Sequence, residues 1–119
     1  GMRSMETSID RVVRDQMNPV VFPVTFEQLD AAIDFHEIGP ESHEIDGFTV
    51  TAIQVRHPGG ALGYRFTERD RGARSLVYIS DNELNPAVPY DNGASTRDEI
   101  VAFARGAAVL VHDTMYTVE

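Results

Sequence analysis

Four ionisable residues stand at the ends of apolar, β-branched runs, which is how a sheet delivers chemical groups to its rim. His57 follows Phe48-Thr49-Val50-Thr51-Ala52-Ile53-Gln54-Val55-Arg56 and precedes Pro58-Gly59-Gly60. Asp81 follows Leu76-Val77-Tyr78-Ile79-Ser80, and His112-Asp113 follows Val109-Leu110-Val111. An imidazole at a strand end is a good ligand for zinc or iron. The small residues after His57 let a backbone come close to a bound group. A carboxylate in the position of Asp81 can bridge two cations. His112 could act as a general acid, with Asp113 orienting it or a metal ligand. Each residue also has a plainer use. His57 could be a turn histidine bonded to a carbonyl, because single histidines are poor metal signals. Asp81-Asn82 suits a turn. His112-Asp113 could cap a neighbouring loop.

The elements that must position these groups are mostly strands. Phe48 to Val55 alternates and runs into His57, and Leu62 to Thr67 forms the next strand. Glu68 to Arg74 is charged, contains Gly72 and predicts a hairpin loop. Leu76 to Ile79 predicts a buried strand ending at Asp81, and Ala108 to Val111 a last buried strand ending at His112. Asn82 to Ala94 is rich in Pro, Asn and Gly and predicts a loop. Ser95 or Thr96 should cap a helix running to about Arg105, closed by Gly106. Upstream, Ser4 to Met17 predicts a helix with Met5, Ile9, Val12, Val13 and Met17 on one face, stopped by Asn18-Pro19. Val20 to Val24 should be extended, with Pro23 confining it to an edge or a connection. Thr25-Phe26-Glu27-Gln28 is a capping-box pattern opening a short helix, with Phe26, Leu29 and Ile33 inward. Phe35 to Ile38 alternates, and Ser42 to Ile45 should be a short strand turning at Asp46-Gly47.

The order of His57, Gly63-Tyr64-Arg65, Asp81 and His112-Asp113 resembles the metallo-β-lactamase fold, in the phosphodiesterase branch that includes ribonuclease Z and cyclic-phosphate phosphodiesterases. The resemblance covers roughly Phe48 to Thr117. It implies an αββα sandwich and metal-dependent hydrolysis of a phosphodiester. There two cations, zinc or alternatively manganese or iron, activate a water and neutralise the phosphate. It further implies that His57 and Asp81 are metal ligands and that His112, with Asp113, serves the leaving group. Two departures accompany it. The upstream His-x-His-x-Asp-His cluster and the terminal histidine of that family do not occur here. His112 is followed by Asp113-Thr114-Met115 rather than Glu-x-Thr, which resembles the relatives acting on smaller substrates. Two side chains do not replace a shell that takes about three to four protein ligands per ion, so this chain alone is expected to bind no metal tightly and to be inactive.

Composition bounds these expectations. The 119 residues suit one small domain, and 42% hydrophobic residues are enough for a core. There is no cysteine, which excludes disulfides and thiolate metal sites. A net charge of −9, from 19 acidic and 10 basic residues, argues against general nucleic acid binding. It leaves a phosphate held at a metal centre open, because bound cations dominate a local field. No apolar run approaches a membrane span, and no signal peptide begins the chain, so a cytoplasmic location is expected. Gly1 before Met2 is expected to be a tag remnant. His36 and His43 lie in an acidic stretch and should be surface residues. Glu68-Arg69-Asp70-Arg71 should be solvated, and Arg65 should form an internal ion pair.

The expected fold is therefore α/β, a mixed and mostly antiparallel sheet with helices on one face, making residues 1–119 a single partial domain. The first function expected is a fragment of a metal-dependent hydrolase with a small phosphodiester substrate. The alternative is a non-catalytic acidic interaction domain or dimerising module. A half-sandwich leaves an apolar face open, so a homodimer is expected in either case.

Overall fold

The computed structural model describes residues 8–70, 72–84 and 93–113, in two compact units divided after Ile38. In the first unit, helix α1 spans Ile9–Gln16. Ser8 caps it, its hydroxyl accepting the Arg11 N–H at 3.4 Å, which satisfies one of the open donors of the first turn. A single 3₁₀ turn, Phe26–Gln28, follows the Thr25 capping box. Arg14 ties the two together. Its guanidinium donates to Asp10 at 2.7 Å and to Glu27 at 3.0 Å, and lies 4.0 Å from the centre of the Phe26 ring.

Three expectations fail in this unit. Val20 to Val24 is a connection, one of the two places Pro23 allows, but it opens as a turn rather than extended: the Asn18 carbonyl accepts the N–H groups of both Val21 and Phe22, and the Asn18 side chain takes that of Val20. The Asn18-Pro19 turn thus consumes the donors a strand would need. Phe35 to Ile38 also forms no strand; Phe35 instead packs its ring against Phe26 at 5.7 Å. Leu29 and Ile33, expected inward, are exposed.

The second unit is a five-stranded sheet in the order β1-β2-β3-β4-β5. The strands are β1 (Ser42–Ile45), β2 (Phe48–Val55), β3 (Ala61–Glu68), β4 (Ser75–Ile79) and β5 (Val109–His112). The first four pair antiparallel in chain order, while β5 runs parallel to β4. That parallel connection carries helix α2, Arg97–Ala104, as a crossover must. The hairpin between β1 and β2 turns at Asp46 and Gly47, both left-handed with φ of 44° and 84°. This is the geometry that matches sheet twist in a two-residue turn.

Cross-strand register sorts the side chains into two faces. Val55, Val77 and Ile79 share one face, are fully buried, and pack with Ile100 of α2. Each such side chain contributes about 1.5–3 kcal/mol by leaving water. The other face carries Phe48, Val50 and Ala52 of β2, and across the ladder Phe66, Leu76, Tyr78, Val109 and Val111. It is covered in the middle of β2, where Val50 is 4% and Ala52 5% exposed, and open toward β4 and β5, where Leu76 is 37%, Tyr78 44% and Val109 50% exposed. β4 accordingly alternates buried and exposed instead of being buried on both faces as its composition suggested. β5 is corrected likewise. It is an edge strand with Val109, Leu110 and Val111 all exposed. No helix among the described residues is long and apolar enough to cross a membrane.

Candidate functional site at the sheet rim

β2, β4 and β5 all run in one direction, since β2 and β4 are each antiparallel to β3, and β5 is parallel to β4. Their C-terminal ends therefore lie at one edge of the sheet. His57, Asp81 and His112 follow or end those three strands, so the topology brings all three to the same rim.

Local chemistry shapes each position. After β2 the chain turns sharply, with the His57 carbonyl accepting the Gly60 N–H at 2.9 Å. Pro58 and Gly59, the latter at φ 78°, occupy the central positions of a type II turn, where proline supplies the first φ and glycine the positive second one. His57 is half-buried at the start of that turn. Asp81 is exposed, and its carboxylate accepts the Ser80 hydroxyl at 2.6 Å. His112 is half-buried at the end of β5, in register with Ile79. The parallel ladder continues one step further through the Asp113 N–H to the Ile79 carbonyl at 2.9 Å. His112 Nδ1 is bonded to the backbone carbonyl of Asp113, so the group that orients this imidazole is a main-chain oxygen of Asp113.

A residue that sequence inspection treated only as turn chemistry links these ends. Asn82 is 4% exposed. Its Oδ1 accepts the Arg56 N–H at 3.1 Å, and its Nδ2 lies 3.1 Å from His112 Nε2. The neighbouring Glu83 N–H donates to the Arg56 carbonyl at 2.8 Å. Arg56 Nη1 reaches the Leu84 carbonyl at 3.3 Å, and the Ser95 N–H meets the Gln54 carbonyl at 2.9 Å. The chain leaving β4 thus stitches the exit of β2 to the end of β5. The one cue in the sequence was an amide shortly after an apolar strand, past Ser80 and Asp81, and turn formation accounts for that equally well.

Arg65 departs from expectation. It makes no internal ion pair among the described residues. Nη1 donates to the carbonyls of Phe103 at 2.7 Å and Arg105 at 3.0 Å, which are open acceptors at the end of α2. His43 is half-buried on β1 with Nε2 3.4 Å from Glu41, and His36 is exposed.

Among the described residues no three of His, Cys, Asp and Glu are grouped to hold an ion, and both ring nitrogens of His112 are engaged. An apolar groove of about 470 Å³, lined by Phe48, Phe66, Leu76 and Val109 among others, lies at the opposite end of the sheet. It opens beside the starts of β2, β4 and β5, far from the rim, and belongs to the face opposite α2 rather than to the chemistry. Compared with protein-family models, curated proteins and solved structures, the chain has no match.

Proposed function

We propose that this chain is part of a metal-dependent hydrolase of the metallo-β-lactamase type, acting on a small phosphodiester, and that it is inactive alone. One observation carries the proposal. The three residues that the motif order singled out, His57, Asp81 and His112, fall on parallel-running strand ends at one rim. The exposed apolar patch along β4 and β5, on the face opposite α2, adds support, because such a patch is what remains when part of a second layer is supplied by other residues. In such an enzyme zinc or manganese would stabilise charge on the phosphate. The chain's own contribution would be His57 and Asp81 as part of an incomplete ligand set. His112 would supply the proton for the leaving group, and the Asp113 carbonyl holds its ring in place. A second possibility, a non-catalytic dimerising module, draws on the same patch.

The coding sequence on either side of this chain separates the two. An upstream His-x-His-x-Asp-His cluster in the same frame supports the hydrolase, and its absence sinks it. The chain by itself should not turn over bis-p-nitrophenyl phosphate with zinc or manganese. Metal-dependent turnover lost in both His57→Ala and Asp81→Ala would show that a complete site forms without further residues, and would overturn the fragment proposal.

A further inference from the structure

We propose that Asn82 is a positioning residue that fixes the tautomer of His112, leaving the proton on Nδ1 and holding the Nε2 lone pair with an amide donor. Donor and acceptor identities along the chain of bonds decide this. The Arg56 backbone N–H can only donate, so the Asn82 atom 3.1 Å from it is the oxygen. The other amide atom is then Nδ2, which can only donate. It faces His112 Nε2 at 3.1 Å, so Nε2 accepts and carries no proton. The remaining ring nitrogen, Nδ1, meets the Asp113 carbonyl, which can only accept, so Nδ1 carries the proton.

Flipping the Asn82 amide would set an N–H against the Arg56 N–H and an oxygen against His112. At 4% exposure water cannot make good that loss, so the flipped amide is disfavoured. The reference point is itself held, because the Glu83 N–H grips the carbonyl of the same Arg56.

The arrangement has a chemical consequence. Nδ1 is committed to the backbone, so His112 can offer only Nε2 to a reacting partner. Nε2 is occupied in this state, so any incoming proton, ligand or leaving-group oxygen has to displace the Asn82 amide. Asn82 therefore acts as a latch through His112 without touching the reacting atoms. The latch rests on the rim geometry and stands whether or not the hydrolase proposal does. If both hold, His112 must first take up a proton from solvent at Nε2, which requires Asn82 to turn away, and only the resulting imidazolium can give that proton to the leaving group.

Long-range ¹H–¹⁵N spectra of the histidine rings in the full chain, at mildly alkaline pH, test the latch without reference to activity. The His112 signals are assigned by their loss in His112→Gln. The expected wild-type pattern is a protonated Nδ1 and a bare Nε2. Asn82→Asp keeps an acceptor for Arg56 but removes the amide donor, and should place a proton on His112 Nε2. A wild-type ring protonated on Nε2, or an even mixture of tautomers, overturns the proposal. So does a tautomer unchanged by Asn82→Asp. If that variant fails to fold, the wild-type spectrum decides alone.

Discussion

At the scale of single residues, Gly63 and Asn82 show how much the rim depends on fit. Gly63 is buried in β3, and a Cβ there would come within 2.9 Å of Ile79 Cγ1 and 3.3 Å of Ile53 Cγ2. Both obstacles are branched side chains held in the core, with little room to retreat. Gly63→Ala should therefore destabilise the protein by about 1–3 kcal/mol, as overpacking does, read as a lower urea midpoint with an unchanged slope. No change in midpoint would mean that the core yields freely at this point. The residues at the rim were legible in the sequence as polar groups ending apolar runs, because strand termini leave that signature. Asn82 was not, since its partners lie 26 and 30 positions away, at Arg56 and His112. A bond of that separation has no local pattern. For the same reason the partner of Arg65 was misassigned: side-chain charge suggests an ion pair, whereas a helix end offers carbonyls that no residue type announces.

At the scale of elements, α2 was legible in its place and its cap, and β5 in its place but not in its burial. Thr96 and Glu99 mark the start of α2 reciprocally: the Thr96 N–H donates to Glu99 at 2.6 Å and the Thr96 hydroxyl accepts the Glu99 N–H at 3.3 Å. Thr96→Ala should cost about 0.5–2 kcal/mol, measurable by denaturant titration. The Glu99 carboxyl is held below its ordinary value of 4.5, first by the Thr96 backbone N–H and then by the Thr96 side chain. A depressed folded value means its contribution is fully present above 4.5 and is lost as pH falls through the lower folded value. The stability gap between wild type and Glu99→Gln should thus be largest near neutrality and close under acid. A gap that widens in acid would contradict this. At the far end, α2 has no basic residue in its last turn, and Arg65 supplies the missing cation from β3. Arg65→Met should cost roughly 1.5–3 kcal/mol, the range for hydrogen bonds to a charged group. β5 was misjudged because Val-Leu-Val is apolar on both faces, and composition cannot say whether anything covers them. Val20 to Val24 and Phe35 to Ile38 were overestimated for a related reason. Strand-like composition needs a partner strand to become a strand, and local turns claimed the first segment's donors.

At the scale of the whole molecule, the central feature is a sheet packed under α2 on one face and carrying an exposed apolar patch along β4 and β5 on the other. Phe48, Leu76, Tyr78, Val109 and Val111 on that face are each more than a third exposed, and contiguous apolar patches of this kind mark interaction surfaces. The isolated chain at tens of micromolar should be a dimer by light scattering, with this face buried against a second copy; a clean monomer would refute that. Placing a charge at its centre, as in Tyr78→Lys, should shift the equilibrium to monomer without unfolding α2. The hydrolase proposal is tested most directly by one measurement: metal-dependent hydrolysis of bis-p-nitrophenyl phosphate by the protein made from the whole coding region, with and without His112→Ala. General acid catalysis supplies about 10²–10⁴-fold, so the account predicts a zinc- or manganese-dependent rate that falls by that factor in the variant. A rate untouched by His112→Ala, or no metal-dependent hydrolysis by the whole protein, would contradict it.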